Sequence, residues 1–496
     1  MKPIVLETEN VPISLYLSED NLVRDDSIEL LKQFAEMPEV YGTVIGLPDI
    51  SHKFARFSPT GMVLATKEHI IPSATSLGTN SGIRVLACDI DSNQLNDSQV
   101  DALFGILQQT IPIYGKKDAK PIKRVISRET LFRIFNDAYD WIQNVYGVND
   151  EELERIQNIN NNLLVQDELG QSIEDYFPES LIEEGLYGLG VLESGNHFIE
   201  LQRVDSILNK SIAEKLGIFK DQLLFMIHDA SPCGMINQYY TPRWNYYGEE
   251  FINFETDKSI FHSKNFYDKE QLISRQNYFP PSSPFFSIKA DSKEGKRYRV
   301  ALKGVMNYGI ANRSVMQQKI EKALNVVLQS KKIRTRLVSD TMHDTITREK
   351  INNEYLWIHR HGSTQALPAS ECKGTGVFSG TGVFSETGQC FGLPGAPGLP
   401  SYICISGENT EKTFYSANHG AGRLIDRPEA IKKFSESDIY KYFSDNGIRI
   451  YKEGLMDIRG EASGAFKDID DIANLSQNMG LIEQVARVVP IAVKKG

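Results

Sequence analysis

The segment Leu223-Leu224-Phe225-Met226-Ile227-His228-Asp229 places a histidine and an aspartate directly behind five consecutive apolar residues. A short apolar run of this length, bounded by polar residues, is typical of a buried β-strand. Comparable runs, most of them next to turn-forming or polar residues, occur at 41–47, 62–65, 83–87, 189–191 and 198–202. The pattern predicts sheets whose strands carry polar side chains at their ends.

Other stretches have apolar residues at helical spacing. Residues 27–36 fit one short helix, and residues 311–329 form an apolar stripe that predicts an amphipathic helix packed against the core. Residues 126–183 begin with a helical pattern and continue into an acidic, Asn-rich part. We interpret 126–183 as a helical insertion with a solvated face.

Composition limits the class of protein. The chain has 496 residues, 41% hydrophobic and 24% charged, which is typical of a globular protein. Its net charge of −11 argues against a generally basic surface that coats nucleic acid, although a local basic groove is allowed. No apolar stretch approaches a membrane span, and the N-terminal residues lack the apolar region of a signal peptide. The five cysteines form no Cys-x-x-Cys pair, so we expect a reducing, cytoplasmic setting without a membrane.

Two segments have unusual composition. Residues 233–298 are rich in Tyr and Phe and contain Pro-Pro and Ser-Pro turns, which predicts a largely irregular excursion. Within 373–389 the hexapeptide Gly-Thr-Gly-Val-Phe-Ser occurs twice in succession, at 374–379 and 380–385. We interpret this repeat as a Gly-rich surface loop, because it does not open a helix behind a strand as phosphate-binding loops do.

Four of the nine histidines, namely His197, His228, His343 and His419, follow or flank a predicted strand. Imidazoles that converge from separate strands can hold a catalytic metal ion. Spacing alone does not show convergence, so a structural role for each histidine remains the alternative.

The segment Asn418-His419-Gly420-Ala421-Gly422-Arg423 is the most specific of the four settings. Glycines allow a phosphate to approach the backbone, and an arginine offers a planar fork of donors to phosphate oxygens. A neutral histidine can attack phosphorus as a nucleophile. The segment therefore indicates phosphate chemistry, with a glycine-rich turn and a capping histidine as the alternative.

Taken in order, these segments resemble the RtcB family of GTP-dependent RNA ligases over essentially the whole length. That family joins an RNA 3′-phosphate or 2′,3′-cyclic phosphate to a 5′-hydroxyl. The resemblance is carried by ordered matches at Leu47-Pro48-Asp49, Gly82-Ile83-Arg84, Gly195-Asn196-His197-Phe198-Ile199-Glu200, Asn307-Tyr308, Ala311-Asn312-Arg313, His343, His359-Arg360-His361-Gly362, Pro394-Gly395, His419 to Arg423 and the terminal 490–496.

The resemblance implies an α+β fold of the RtcB type, with central, mostly antiparallel β-sheets in a sandwich flanked by helices. Residues 1–496 would form a single catalytic domain. The resemblance makes His419 the covalently guanylylated nucleophile and implies Mn²⁺, as one or two ions, held by His197, His228 and His343. It implies a GTP site that comprises Asn196, His419, Gly420, Ala421, Gly422, Arg423, Phe466 and Lys495.

Several positions depart from the family pattern. Where the family has Asp-x-x-Cys-Gly-Val-Arg, with both anions as metal ligands, this chain has Gly78-Thr79-Asn80-Ser81-Gly82-Ile83-Arg84. A serine hydroxyl is a poor substitute for a bridging thiolate, so a paired-metal site is in doubt. Asp229, Asp344, Asp49 and Cys233 are speculative further ligands. Three cationic positions of the family are also replaced, at Pro232, His361 and Gln365.

The leading hypothesis is an RNA ligase for RNA with broken ends, in RNA repair or tRNA splicing, which uses GTP and manganese. Archease, an activating protein of the family, is a candidate partner. The first alternative is a ligation-deficient paralogue that binds nucleotide or RNA, and the second is a metal-dependent phosphoesterase. The basic runs at 116–124 and 331–336 line an RNA path in this hypothesis, or else are ordinary solvated surface.

Overall fold

A computed structural model describes residues 2–18, 25–51, 58–75, 79–113, 124–157, 173–177, 179–230, 236–237, 287–330, 332–373, 382–453 and 457–496. Within these ranges the structure has eighteen strands. They are β1 Ile4–Leu6, β2 Ile13–Leu15, β3 Val40–Ser51, β4 Thr60–Thr66, β5 His69–Ile70, β6 Gly82–Asp91, β7 Phe198–Ile207, β8 Gln222–Asp229, β9 Ile288–Lys289, β10 Thr335–Met342, β11 Asp344–Ile351, β12 Glu354–His361, β13 Ser363–Gln365, β14 Cys390–Leu393, β15 Ser401–Ser406, β16 Ser416–Asn418, β17 Arg449–Lys452 and β18 Ile482–Lys495.

The helices of the described ranges lie mainly in the first half of the chain and around one long central helix. They are α1 Asp25–Ala35, α2 Asp97–Thr110, α3 Arg128–Asn136, α4 Ala138–Tyr146, α5 Asp150–Leu153, α6 Glu179–Gly188, α7 Lys210–Leu216, α8 Lys293–Val327, α9 Ala369–Cys372, α10 Phe384–Thr387, α11 Arg427–Lys433, α12 Glu436–Asp445 and α13 Ile469–Asn478. None of the helices searched in the described ranges is both long and apolar enough to span a bilayer.

Two large sheets form the centre of the molecule. The first has the order β1-β2-β3-β4-β12-β11, and the second has the order β10-β6-β8-β7-β18-β15-β14, with β17 paired to β18. Apart from the parallel pairs β2/β3 and β17/β18, neighbouring strands are antiparallel, and the second sheet is nearly closed. Ile45 and Val63 of the first sheet share a buried cluster with Phe391 and Cys404 of the second. The expected α+β fold, a mostly antiparallel sandwich flanked by helices, is confirmed.

The strand period of two decides which side chains face which layer. On β8, Leu224 and Met226 point into the core enclosed by the second sheet, whereas Phe225 and Ile227 point toward the helical layer around α8. Because successive side chains alternate, His228 lies on the enclosed side and Asp229 on the helical side. The neighbours His228 and Asp229 at the end of β8 therefore face opposite sides of the sheet.

The predicted helix at 311–329 is the second half of a much longer helix. α8 spans 35 residues and starts at Lys293, where Ser292 caps its first turn by accepting from the Gly295 amide. Its first turns lie in the segment 233–298, which we had predicted to be irregular, and that prediction is wrong for 293–298. The helix is longer because Tyr298 and Leu302 are buried against other helices, although they lie outside the apolar stripe used for the prediction.

The other special segments are described only in part. Residues 126–157 form α3, α4 and α5 next to α8, and 158–172 lie outside the described residues, so the insertion at 126–183 remains a prediction. In the Gly-rich repeat, 374–381 lie outside the described residues, and α10 occupies part of the predicted loop. Residues 189–191 form no strand, and the neighbouring Leu192 makes only an isolated bridge to Ile113.

Candidate active site

One row of paired residues crosses the second sheet near a single edge. Thr341 of β10 pairs with Ile83 of β6, Ile83 with His228 of β8, and His228 with Phe198 of β7. Phe198 in turn pairs with Lys495 of β18. Ser81, His197 and His343 lie one or two residues beyond this row, and thus the strand register brings distant polar residues together.

Three of the four predicted histidines meet around the Ser81 hydroxyl. The Nε2 atoms of His228 and His343 lie 3.3 Å apart, and Ser81 Oγ lies 3.3 Å from His228 Nε2 and 3.5 Å from His197 Nε2. All three imidazoles are buried. His197 Nδ1 lies 3.1 Å from the Ser194 carbonyl oxygen. A neutral imidazole that donates to this carbonyl presents the Nε2 lone pair to the cluster.

The donor set fits one metal ion better than two. Two nitrogens that each lie about 2.1 Å from one ion are separated by about 3.0–3.4 Å, which matches the His228/His343 pair. Across the described ranges, however, no group of three or more His, Cys, Asp or Glu side chains is placed to hold an ion. His197 approaches the pair only through Ser81, whose hydroxyl is neutral. The three predicted metal-binding histidines are thus neighbours, but they do not form a complete three-ligand arrangement.

The speculative carboxylate ligands have other partners. Asp229 accepts from the Glu193 amide at 2.9 Å and from Asn312 Nδ2 at 2.6 Å, and burial raises its pKa to about 8. Asp344 accepts from the Gly362 amide at 2.7 Å. Both carboxylates hold backbone near the cluster, and they are not arranged as metal ligands. Gly78, Pro232 and Cys233 lie outside the described residues.

His419 continues the row of histidines and is held by Asp49. Its ring centroid lies 4.6 Å from that of His343. Asp49 Oδ2 accepts from His419 Nδ1 at 2.8 Å and from the His419 amide at 3.2 Å. Asp49 is fully buried, and we had considered it only as a metal ligand. A carboxylate at Nδ1 fixes the tautomer with the proton on Nδ1 and leaves Nε2 as the free lone pair.

Glycine at position 422 is required by this contact. Gly422 has φ +73°, and a Cβ atom there would collide with the backbone carbonyl of Asp49. Both facts favour glycine, which tolerates positive φ and leaves room for close approach. The glycines of the His419 segment thus seat the histidine against Asp49, in addition to any role toward a phosphate.

A cleft of about 610 Å³, counted to its open mouth, joins most of the predicted nucleotide residues. Its lining includes Asn196, Phe198, His228, His419, Gly420, Ala421, Gly422, Arg423, Phe466 and Lys495, together with Pro394, Arg427 and Glu461. The structure therefore brings together every residue of the predicted nucleotide site, and it places His228 at the border between this cleft and the histidine cluster.

A buried cluster of charges lies along the cleft. Glu461 accepts from Arg423 Nη1 at 3.2 Å and Arg427 Nε at 2.9 Å, and its Oε2 lies 3.2 Å from Lys495 Nζ. Burial opposes the charge of Glu461, but Lys495, Arg427 and Arg423 together outweigh burial and hold its pKa at about 2. Burial lowers the pKa of Lys495. Three cations against one carboxylate leave an excess of positive charge, which favours an anionic ligand.

Arg423 has several protein partners beside the cleft. Its Nε donates to the Ile425 carbonyl at 3.0 Å, its Nη2 donates to the Gly460 carbonyl at 2.5 Å, and its Nη1 donates to Glu461. The guanidinium also lies over the Phe466 ring at 4.4 Å. These contacts use three of the five N–H groups of the guanidinium, so Arg423 helps to shape the cleft and its contact with a phosphate stays a prediction.

The basic run at 331–336 also has internal partners. Arg334 pairs with Glu321 at 2.6 Å, and Arg336 donates to the carbonyls of Leu216 and Gly217, each at 2.8 Å. These contacts do not support an RNA path along this run. Lys331 and residues 116–123 lie outside the described residues.

Fold and cleft together define the class of protein: an α+β sandwich with a histidine cluster at the edge of a cationic cleft. The chain belongs to the RtcB family, because the model of that family, described as tRNA-splicing ligase RtcB, matches residues 30–496. The resemblance in the motifs is thereby confirmed.

Archaeal relatives cover nearly the whole chain. It is 25% identical to the tRNA-splicing ligase RtcB of Nanoarchaeum equitans over 98% of this chain and 96% of the relative. It is 26% identical to the protein of the same description from Thermococcus kodakarensis, over 98% of this chain and 95% of the relative. The similarity to the Pyrobaculum aerophilum protein is 25% identity over 100% of this chain and 96% of the relative.

Sequence reasoning missed Glu461 and Arg427 and misassigned Asp49. Asp49 belongs to the motif Leu47-Pro48-Asp49, which singles it out in the sequence. The sequence does not show that its partner is His419. Arg427 follows His419 by eight positions and is the first residue of α11. Glu461 had no sequence signal, since it lies in a short 3₁₀-helix, Ile458–Glu461, without a motif.

Proposed function

We propose that this protein is a GTP-dependent RNA ligase that joins an RNA 3′-phosphate or 2′,3′-cyclic phosphate to a 5′-hydroxyl through a guanylylated His419. The observation that carries the proposal is the Asp49/His419 pair at the cleft, with Asp49 Oδ2 at 2.8 Å from Nδ1. The names of the archaeal relatives support RNA as the substrate class. RNA repair and tRNA splicing are the two settings that fit this chemistry.

In the first step, His419 Nε2 attacks the α-phosphorus of GTP. The new N–P bond replaces the bond to the β-phosphate oxygen, and pyrophosphate leaves with its electron pair. The attack places positive charge on the ring, which still carries its Nδ1 proton. Asp49 stabilises this charge and holds the ring in the productive orientation, as a buried carboxylate does for other catalytic histidines.

The cationic cleft supplies the electrostatic part of this step. Lys495 and Arg427 lie in the lining, and fixed charges in a site with little water stabilise negative charge that develops on phosphate oxygens. Phe466 and Phe198 offer apolar ring surface for a nucleobase. These residues, with Asn196, form the proposed nucleotide site.

The proposed metal ligands are His228 and His343, with His197 completing the set after a rearrangement around Ser81. When bound, a divalent ion such as Mn²⁺ would neutralise phosphate charge beside His419. Its ligands lie next to the nucleophile, since the His343 and His419 ring centroids are 4.6 Å apart.

Two further steps complete the reaction. An oxygen of the RNA 3′-phosphate attacks the phosphorus bound to His419, so the N–P bond breaks and GMP is transferred to the RNA end. The 5′-hydroxyl of the second RNA then attacks the RNA phosphate, loses its proton and displaces GMP. A 2′,3′-cyclic phosphate must first be opened by water to a 3′-phosphate.

The test is covalent labelling with GTP that carries the label in its α-phosphate, in the presence of Mn²⁺. We expect a labelled protein that survives denaturation, and no label on His419→Ala. Absence of the adduct from the wild type, or equal labelling of the variant, would contradict the proposal. Joined RNA from a 3′-phosphate and a 5′-hydroxyl substrate is the second readout.

One observation favours a second candidate, a family member that binds nucleotide or RNA without ligation. The centre of the histidine cluster is the neutral Ser81 hydroxyl, which lacks the charge to hold two dications together. GTP binding without an adduct would support this candidate. Release of a cyclic phosphate without joined product would instead indicate a phosphoesterase.

A further inference from the structure

Lys467 lies beneath the Asp49/His419 pair and has no part in the mechanism described so far. Its ammonium group donates to the Pro48 carbonyl at 2.9 Å and to the Ile50 carbonyl at 3.0 Å. These two carbonyls flank Asp49 in the chain. Only 4% of Lys467 is exposed, so its stem is packed and its charge is buried.

Asp49 needs such support because its carboxylate is only half satisfied. Oδ2 accepts both bonds from His419, whereas Oδ1 is buried without a hydrogen-bond partner. The backbone leaves little space around it, since a Cβ at Gly61 would lie 2.7 Å from Oδ1. An ionised carboxylate in this position requires a nearby positive charge or it becomes costly to bury.

The energetics of Lys467 point to the same neighbour. Burial lowers the pKa of Lys467 to about 8, and the charge of Asp49 acts in the opposite direction. A lysine that only anchored two carbonyls could be replaced by a neutral donor. Its position beside the one carboxylate that holds the candidate nucleophile suggests a further contribution through its charge.

We propose that Lys467 is a positioning residue that clamps the backbone on both sides of Asp49 and, through its buried charge, holds the Asp49 carboxylate against His419 Nδ1. Lys467 touches neither nucleotide nor RNA in this proposal and acts only through Asp49. The proposal deepens the proposed function and rests on His419 as the nucleophile.

Three variants distinguish the two hydrogen bonds of Lys467 to the backbone from its positive charge. Lys467→Met removes both, Lys467→Gln keeps amide donors without the charge, and Lys467→Arg keeps the charge and the donors. The control is Lys319→Met, because Lys319 is also a buried lysine that donates to a carbonyl, that of Gly190 at 2.7 Å, and burial lowers its pKa to about 8 as well.

The first measurement is the rate of His419 guanylylation at saturating GTP between pH 5.5 and 9. We expect Lys467→Met and Lys467→Gln to lose about tenfold in rate, the usual order for an outer partner of a functional histidine. The GTP concentration for half-saturation should change less than about twofold, and Lys467→Arg should recover most of the rate.

The second measurement needs no GTP. Diethyl pyrocarbonate modifies neutral imidazole, and mass spectrometry of the peptide that contains His419 gives its rate of modification. We expect Lys467→Met and Lys467→Gln to change this rate, because the His419 ring is no longer held by Asp49, and Lys319→Met to leave it unchanged. If the wild type forms no guanylyl adduct, the proposed function fails while this readout still tests Lys467.

The proposal is overturned if Lys467→Gln labels His419 with the rate and pH profile of the wild type, since a neutral donor would then suffice. It is also overturned if Lys319→Met shows the same losses, which would indicate a general effect of destabilisation. Should Lys467→Met fail to fold, Lys467→Gln and Lys467→Arg still separate charge from clamp.

Discussion

The two halves of the site differ in how their side chains are held. In the nucleophile half, Asp49 is a buried anion that binds both the ring and the amide of His419. In the histidine half, the central atom is the neutral hydroxyl of Ser81, and His228 and His343 contact each other at 3.3 Å. Charge thus orients one half before any ligand binds. In the other half the group between His197 and His228 is the neutral Ser81 hydroxyl, and the Glu193 carboxylate lies 3.4 Å from His197 Nδ1.

This contrast shows which catalytic group is already oriented in the free protein. A histidine with a buried carboxylate partner is oriented in the free protein, so nucleophilic attack needs little rearrangement. Neutral donors hold a dication less tightly than a thiolate or carboxylate does. We therefore expect the histidine half to limit the reaction.

The largest effect is expected when the carboxylate of the nucleophile half, Asp49, is replaced by a neutral group. Asp49→Asn should lower the rate of His419 labelling by about 10³-fold or more, because an amide can hold the ring in the wrong tautomer. The measurement is label incorporation from GTP at saturating concentration, with thermal unfolding as a check on the fold. Asp470→Asn, which changes a carboxylate bonded to Tyr402 outside the cleft, should keep the wild-type rate. A loss smaller than about tenfold would remove Asp49 from the mechanism.

The next effect concerns the charge cluster along the cleft. The pKa of Glu461 falls from 4.5 to about 2 on folding, so Glu461→Gln should cost about 3 kcal/mol of unfolding free energy at neutral pH. Because the folded pKa is the lower one, this contribution is complete above about pH 4.5 and is lost as the pH falls toward 2. Urea unfolding at several pH values measures it.

A matched variant for that experiment is Glu354→Gln, which removes the partner of Lys67, at 3.1 Å, from an exposed pair. Its loss should be clearly smaller, since exposed ion pairs contribute little. An equal loss of unfolding free energy in the two variants would mean that the Glu461 cluster stabilises the protein no more than an exposed ion pair does.

The third test places an anionic ligand at the centre of the histidine half, where the wild type has the Ser81 hydroxyl. Ser81→Cys should raise the affinity for Mn²⁺ by about tenfold, because a thiolate is the stronger ligand. Titration calorimetry measures both affinity and the number of ions per chain. Ser58→Cys is the control, since Ser58 contacts His361, at 2.8 Å, and no histidine of the cluster. Unchanged affinity would place the ion away from Ser81.

The smallest effect is expected at the base-facing ring. Phe466→Tyr keeps the aromatic surface over Arg423 and adds one hydroxyl at the half-buried edge, so affinity for GTP should change less than about threefold. Fluorescence titration with a labelled GTP analogue measures it. A change beyond tenfold would show that position 466 contributes more than stacking.

Much of the site was predictable because its chemistry is written in short motifs. The segments around His197, His228, His343 and His419 pointed to four histidines that the structure places along one edge. The motif Leu47-Pro48-Asp49 was also recognisable, although the sequence did not show that Asp49 accepts from His419. Glu461 and Lys467 could not be singled out, since nothing near them in the chain indicates a buried charge.

Errors in the predicted fold have a common cause. The first turns of α8 were missed because Tyr298 and Leu302 are buried by helices distant in sequence, which no local period shows. Arg423 was interpreted from its motif as a phosphate donor, and the motif did not show its bonds to the carbonyls of Ile425 and Gly460 and to the Glu461 carboxylate. In both cases the local pattern did not show the tertiary contacts.

By itself, the amino-acid sequence determined the family, the apolar strands and the residue types that can bind phosphate or metal, because these depend on local order along the chain. Only the tertiary structure decided the partners. Strand register aligned Ile83, His228, Phe198 and Lys495 in one row, and side-chain alternation sent His228 inward and Asp229 toward α8. Register and parity arise from packing between distant segments, and that packing turned separate polar residues into one charged cleft.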